Sequence, residues 1–139
     1  MTGVIDASAL IRLFIPDGPL PAGFESFMKG VDAGTDYAIA PELLLAESAN
    51  VIRKKCKAKE ITDKEETDIL NLIVSMPVRL FTLKPLIKNA SSLSKKIGVT
   101  VYDALYLELA LKHNAGVFSV DDQMVKTARK LELKTNTRE

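Results

Sequence analysis

The chain has 139 residues, of which 47% are hydrophobic and 27% are charged, so its size and composition are those of one soluble globular domain. Its only cysteine excludes a disulfide framework and a cysteine-based zinc site, and favours a reducing cytoplasm. A formal net charge of +1 gives no overall field that attracts nucleic acid, no apolar run approaches the ~20 residues of a membrane span, and no basic signal-peptide region is visible.

Strands and helices are predicted to alternate in the first half of the chain. A short β-branched strand ends at Asp6 and is followed by a helix with the sequence ALIRLF. Apolar residues at helical spacing then run from Phe24 to Val31 and stop at Gly34. A second strand, DYAIA, precedes a helix that Pro41 opens and that continues to about Lys59.

The alternation continues in the second half. Thr62 and Glu65 have the spacing of a capping box, which predicts a helix that begins there and ends at Pro77. Residues 135–139 are polar and are expected to form a mobile tail. The other predicted elements are a strand VRLFTL, a helix from Lys84 to Ile97, a helix from Thr100, a strand VFSV, a helix from Asp121 and a short edge strand LELK.

This alternation predicts one α/β domain over residues 1–134, with helices on both faces of a central, mostly parallel sheet of four or five strands. Ligands bind such sheets beyond the carboxyl ends of the strands, where the strand order reverses. Asp6 and Asp121 each follow a predicted strand. Their carboxylates are therefore expected at the same edge of the sheet.

A third acid, Asp103, lies near the start of an otherwise apolar helix, TVYDALYLELAL. At about 100° per residue, Asp103 shares a stripe with Tyr106 that holds no basic partner. The carboxylate is therefore expected to face the protein body, where a charge must be hydrogen-bonded, paired or bound to a cation. Two interpretations stay open: Asp103 completes a capping box with Thr100, or it belongs to a functional site.

Four acids share this unusual placement, at strand ends or on apolar helix stripes without a local basic partner: Asp6, Glu47, Asp103 and Asp121. A doubly wound fold can bring them together, and four neighbouring carboxylates cannot all stay ionised without a cation. Oxygen ligands alone favour a hard ion, Mg²⁺ or Mn²⁺. Because magnesium held by carboxylates most often serves phosphoryl transfer, a phosphodiester is the expected substrate.

Four segments of the chain resemble the acidic motifs of the PIN-domain ribonucleases, and among these the single-domain VapC-type toxins. The segments are VIDASAL with Asp6, APELLLAESANVI with Glu47, VYDALYLELA with Asp103, and VFSVD with Asp121. They follow the order and spacing of the family and span essentially the whole chain. The last one carries Ser119 where the family more often has threonine. The resemblance implies a three-layer PIN-like fold.

The resemblance also implies an endoribonuclease in which the four acids hold one or two Mg²⁺ or Mn²⁺ ions that activate water for attack on phosphorus. Ser8 and Ser119 would hydrogen-bond to the carboxylates. Asn50 would orient substrate or water, with an ordinary polar residue on a half-exposed helix as an equal alternative. Asp122 has two open interpretations: it is the helix capping partner of Ser119 while Asp121 faces the metal, a division that the spacing of the family supports, or it shares the role of Asp121.

Two further groups of side chains have alternative interpretations. Tyr102 and Tyr106 are expected in the core or at a subunit interface, with platforms that stack on RNA bases as the less favoured alternative. A basic run consists of Arg53, Lys54, Lys55 and Lys57. It is expected to be a solvated helix end, which is the preferred interpretation, or to hold the RNA backbone.

The partners that the resemblance implies are a VapB-like antitoxin and a second copy of the chain. The apolar helices at 24–31 and 69–74 are predicted either to pack in the core or to form these contacts. Two rival functions stay open: a catalytically silent PIN-like module that binds protein, and a PIN nuclease of RNA maturation.

Overall fold

The computed structural model describes residues 1–139 as four strands and seven helices in three layers. This architecture confirms the predicted α/β fold class. In chain order the elements are β1 (Thr2–Ile5), α1 (Ala7–Phe14), α2 (Phe24–Ala33), β2 (Tyr37–Pro41), α3 (Leu43–Lys57), α4 (Asp63–Ser75), β3 (Val78–Phe81), α5 (Ile87–Ile97), α6 (Val101–His113), β4 (Gly116–Phe118) and α7 (Asp122–Lys130).

The sheet is entirely parallel and has the strand order β3-β2-β1-β4. The chain adds β2 and β3 on one side of β1 and then places β4 on the other side, so the order reverses between β1 and β4. Val4 is in register with Ile39 on β2 and with Val117 on β4. A ligand is therefore expected in the crevice beyond the carboxyl ends of β1 and β4.

Three phenylalanines pack α2 against β4. The ring centroids of Phe24 and Phe27 lie 5.4 Å and 4.6 Å from that of Phe118, and all three rings are fully buried. Gly3 of β1 makes room for them, because a Cβ there would lie 2.8 Å from the Phe27 ring. The apolar helix at 24–31 thus belongs to the core, which decides between its two interpretations.

Two helix signals of the sequence have their expected geometry, whereas Pro41, predicted to open α3, is the last residue of β2. Thr62 Oγ1 accepts from the backbone N–H of Glu65 at 3.1 Å, and Glu65 Oε1 accepts from the backbone N–H of Thr62 at 3.0 Å, so the predicted capping box is confirmed. Gly98 ends α5 with the left-handed φ of 73° that glycine adopts easily. None of the helices combines the length and the apolar character that a membrane span needs.

The predicted edge strand LELK is wrong. Glu132 has a left-handed backbone, with φ of 62°, which interrupts extended structure at that point. Pairing with β4 moves further along the chain, where Thr135 forms a single parallel bridge with Val117. The sheet therefore has four strands.

Residues 135–139, expected as a mobile tail, pack against the domain instead. Arg138 Nε donates to Asp36 Oδ2 at 2.8 Å, and the N-terminal ammonium of Met1 donates to Asp36 Oδ1 at 2.8 Å. The reason is the burial of Asp36, which is 3% exposed and whose charge needs cationic partners. This return of the chain brings Asn136 to the carboxyl end of β4.

Candidate metal centre

Asp6 follows β1 and caps α1. Its Oδ1 accepts hydrogen bonds from the Ser8 hydroxyl at 2.7 Å and from the backbone N–H of Ala9 at 2.9 Å, and its own N–H donates to the carbonyl of Phe118 on β4. The residue is 5% exposed. Burial is the main reason why the pKa of Asp6 lies above its usual value, against the opposing effect of the hydroxyls of Ser119 and Ser8.

Ser8 and Ser119 join the ends of β1 and β4. Their Oγ atoms lie 3.2 Å apart. Ser8 Oγ accepts from the backbone N–H of Val120 at 3.0 Å, and Ser119 Oγ accepts from the backbone N–H of Asp121 at 3.0 Å. The two hydroxyls therefore fix the turn that leads from β4 to Asp121, beside the acid that ends β1.

Glu47 reaches this edge on α3, the helix that follows β2. Its Oε1 accepts a hydrogen bond from the hydroxyl of Tyr106 on α6 at 2.6 Å. Tyr106 is 1% exposed, and its burial, together with the bond to Glu47, raises the pKa of the phenol far above its usual value. The hydroxyl therefore stays protonated and acts as a donor that orients the Glu47 carboxylate.

Asp103 is not the cap of its helix. Thr100 caps α6 by accepting the backbone N–H of Asp103 on Oγ1 at 3.1 Å, but the Asp103 side chain makes no return bond and no other hydrogen bond with the protein. The carboxylate is half-buried. This burial, followed by the charges of Asp121 and Glu47, raises the pKa of Asp103. Of the two interpretations, the capping box is wrong.

Asp121, rather than Asp122, caps α7. Asp121 Oδ1 accepts the backbone N–H of Gln123 at 2.9 Å and that of Met124 at 3.4 Å. The expected capping role of Asp122 is therefore wrong, since Asp122 already lies within the first turn of the helix and is exposed. Asp121 caps α7 and also lies near Asp6 and Asp103. Its charge contributes to the raised pKa values of both.

The four acids form one electrostatic group without a cation from the protein. None of them has a basic nitrogen within 4.0 Å. Asp6, Glu47 and Asp121 each accept hydrogen bonds on a single oxygen, and Asp103 accepts none. Each acid thus keeps at least one oxygen that accepts no hydrogen bond of 3.5 Å or less, and the Ser119 hydroxyl is a further polar group close to Asp6.

This donor set fits Mg²⁺ or Mn²⁺. Free carboxylate oxygens are the ligands of hard divalent ions. No three of the four acids have oxygens within 4.8 Å of one another, which is consistent with mutual repulsion. Since magnesium keeps several of its waters when it binds to proteins, ligation partly through water would suit this spacing.

A second cluster of ligand atoms is formed by Cys56, Asp63 and Glu66, which lie within 4.8 Å of one another. The Cys56 thiol donates to Asp63 at 3.1 Å, and this bond and the burial of the thiol raise its pKa to about 11. Glu66 is paired with Arg53 at 2.7 Å. In this cluster one carboxylate is ion-paired and the other accepts a hydrogen bond from a protonated thiol, whereas none of the four acids is ion-paired.

Asn50 and the basic run lie on α3 beyond Glu47. Asn50 is exposed and forms no side-chain hydrogen bond. Arg53 is paired with Glu66, and Lys55 with Asp17 at 2.6 Å. The remaining two members of the run, Lys54 and Lys57, are exposed and have no partner within 4.0 Å.

The sequence analysis missed the roles of two residues at this site. Tyr106 orients Glu47, and its place on the same helical stripe as Asp103 was a usable signal. Asn136 was assigned to a tail, but its Oδ1 accepts the backbone N–H of Ser119 at 3.0 Å while its own N–H donates to Val117 at 3.0 Å. Asn136 thereby continues the hydrogen bonding along the edge of β4. No local sequence pattern predicts this contact.

Tyr106→Phe is expected to weaken Mn²⁺ binding about tenfold, because the Glu47 carboxylate loses the donor that orients it. The same change should lower the free energy of unfolding by about 1 kcal/mol. Titration calorimetry and thermal unfolding measure the two effects. Tyr102→Phe is the matched control on the same helix, since Tyr102 is 61% exposed. Equal Mn²⁺ affinity in the two variants would contradict the orienting role of Tyr106.

The fold and these acids define a class of protein, the parallel α/β domains with an acidic site where the strand order reverses. The sequence model of the PIN domain matches residues 3–130, which is most of the chain. The chain therefore belongs to the PIN domain family, as its four motifs predicted.

Similar proteins point to the VapC-type members of this family. The chain is 26% identical over 125 residues to ribonuclease VapC3 of Pyrobaculum aerophilum, covering 88% of this chain and 92% of that protein. The crystal structure of PAE2754 from the same organism superposes with a TM-score of 0.71 at 17% identity, over 91% of this chain and 79% of that one. VapC20 of Mycobacterium tuberculosis, described as a sarcin-ricin loop cleaving toxin, superposes with a TM-score of 0.64 at 12% identity, over 89% and 93%.

Proposed function

We propose that this protein is a Mg²⁺- or Mn²⁺-dependent endoribonuclease that acts as the toxin of a toxin–antitoxin pair. The observation that carries the proposal is the group of four acids at the strand-order reversal, each with an oxygen that accepts no hydrogen bond of 3.5 Å or less and none with a basic partner. The similarity to a ribonuclease and to a toxin that cleaves the sarcin-ricin loop supports RNA as the substrate.

The four acids and the residues that orient them have different roles in this proposed site. Asp6, Glu47, Asp103 and Asp121 would hold one or two ions directly or through water. A bound divalent ion supplies neutralisation of phosphate charge and a lowered pKa of coordinated water. The protein supplies orientation, because Ser8 holds Asp6, Tyr106 holds Glu47, and Ser119 holds the backbone of Asp121.

The proposed partners are a VapB-like antitoxin and a second copy of the chain, both of which need apolar surface. Leu72 and Val74 on α4 are 52% and 70% exposed, and Leu80 on β3 is 37% exposed. Val74 and Leu80 line an apolar groove that is formed by residues of α1, α3, α4 and β3. Exposed apolar surface of this kind is typical of faces that bind helices or other subunits. The segment 69–74 is therefore the better of the two predicted contact surfaces.

Metal removal tests the nuclease. We expect cleavage of a structured RNA to stop in EDTA and to return when Mg²⁺ or Mn²⁺ is restored in excess, because the four acids neither bind nor neutralise phosphate without a cation. Time courses on denaturing gels measure this. Cleavage that continues in EDTA would overturn the mechanism, and an absence of cleavage with either ion, together with binding of a protein partner, would favour the catalytically silent module.

A further inference from the structure

A cleft of about 410 Å³ is lined by residues of α1, of the segment Pro19–Pro21 and of α7, and by the residues on both sides of Asp121 in the chain. Its floor is formed by Ser119 and Val120, the two residues that lead from β4 to the acidic site. The cleft and the acids thus share one stretch of backbone. A chain molecule bound at Asp121 could therefore extend into this cleft.

Two arginines flank the cleft from opposite walls, Arg12 on α1 and Arg129 on α7. Neither has a carboxylate within 4.0 Å. Arg12 Nη1 donates to the carbonyl of Pro19 at 3.0 Å, and Arg129 Nε donates to Thr135 Oγ1 at 3.1 Å. A guanidinium has five N–H donors in a planar fork, so each of these bonds orients the group and leaves most of its donors free.

The charges of the cleft favour an anion. Asp122 is the only acid among its lining residues, against the two arginines. Asp17 also lies near Arg12, and its carboxylate bonds to Lys55 at 2.6 Å. By contrast, Arg53 and Lys55 of the basic run on α3 are committed to ion pairs.

We propose that this cleft is the binding site for the phosphodiester backbone of the RNA next to the cleaved bond, with Arg12 and Arg129 each contacting a phosphate. The inference rests on the proposed nuclease function and adds the residues that hold the substrate. The planar fork of arginine matches phosphate oxygens in pairs, and two such forks on opposite walls fix the direction in which the strand crosses the acids.

Binding of a fluorescein-labelled single-stranded 20-nucleotide RNA in EDTA, followed by anisotropy between 50 and 200 mM KCl, tests the cleft without cleavage. Arg12→Gln and Arg129→Gln are each expected to weaken RNA binding about three- to tenfold at 100 mM KCl. Each should also reduce the magnitude of the slope of log K against log[KCl], where K is the association constant, by about 0.7, which is the value for one phosphate contact on a single strand. Arg12→Lys and Arg129→Lys, which keep the charge, should retain the slope.

Two controls separate this effect from general charge and from structure. Arg79→Gln removes the same charge at the amino ends of the strands, where Arg79 shares a pocket with Thr2 and Tyr37. Thr135→Val removes the hydrogen bond of Arg129 but leaves its guanidinium. Both are expected to retain the salt slope of the wild type.

The outcomes distinguish the cleft from the nuclease. Salt slopes of Arg12→Gln and Arg129→Gln equal to that of Arg79→Gln would contradict the proposed role of the cleft in RNA binding. RNA cleavage by the wild type in the same preparation would still support the proposed nuclease function. No RNA binding and no cleavage by the wild type would overturn both. Unchanged Mn²⁺ affinity in the arginine variants, measured by calorimetry, would show that a loss of RNA binding does not come from a damaged acidic site.

Discussion

Asp6→Asn is expected to reduce RNA cleavage at least about a hundredfold while the protein stays folded. If Asp6 holds the proposed ion, its loss weakens an interaction worth several kcal/mol of transition-state stabilisation, and each 1.36 kcal/mol is about tenfold in rate. The fold should survive because asparagine caps a helix about as well as aspartate does, so the bond to the N–H of Ala9 is kept. Single-turnover cleavage in Mg²⁺ and circular dichroism measure activity and folding.

A second substitution at the same position controls this experiment. Asp6→Ala removes both the charge and the cap, and the loss of the cap alone should cost about 1 kcal/mol of stability. Asp6→Asn and Asp6→Ala should therefore be equally inactive but differ in melting temperature. Wild-type activity in a folded Asp6→Asn protein would remove Asp6 from the site.

Asp103→Asn is expected to raise the melting temperature of the metal-free protein and to weaken Mn²⁺ binding at least about tenfold. The Asp103 carboxylate is half-buried, accepts no hydrogen bond and is repelled by Asp121 and Glu47. A neutral amide removes this repulsion. Glu108→Gln is the matched control on the same helix, because Glu108 is also half-buried but is not among the four acids. A metal-free Asp103→Asn protein less stable than the Glu108→Gln protein would contradict this account.

The pH dependence of stability follows from the burial of Asp6 and Asp103 and, to a smaller extent, from the charges of the neighbouring acids. The folded-state pKa values of Asp6 and Asp103 are raised above the usual value near 3.8, so the folded protein holds protons that the unfolded chain has released. Their contribution to stability is therefore fully present below this value and is lost as the pH rises through the folded-state pKa values. Excess Mn²⁺ should reverse the loss, because it binds the ionised carboxylates of the folded state. Melting curves across this range, with and without Mn²⁺, measure both effects.

Local patterns in the sequence were sufficient to predict the fold and the edge of the sheet that holds the acids. The alternation of strands and helices gave the parallel sheet, and the strand-end positions of Asp6 and Asp121 placed both at the reversal of strand order. The capping box of Thr62 and Glu65 was likewise predictable, because a cap depends on residues three apart. In each case the information lies within a few neighbouring residues.

Contacts between distant segments could not be predicted in this way. Arg53 on α3 pairs with Glu66 on α4, and Lys55 pairs with Asp17, which is 38 positions away in the chain. The sequence therefore did not show that two of the four residues of the basic run form ion pairs. Glutamate has no special preference for a left-handed backbone, so the conformation of Glu132 could not be predicted. Because of this conformation the last segment pairs with β4 at Thr135 and not within LELK. The contact of Asn136 with Ser119 depends on that shift, and for this reason the supporting role of Asn136 was missed.

The most direct test of the central claim, that four acids form a divalent metal site, is a calorimetric titration of Mn²⁺ into the wild type, Asp103→Asn and Glu108→Gln. The account predicts binding of one or two ions to the wild type, the same affinity in Glu108→Gln, and at least about tenfold weaker binding in Asp103→Asn. Equal affinity in all three proteins would contradict it.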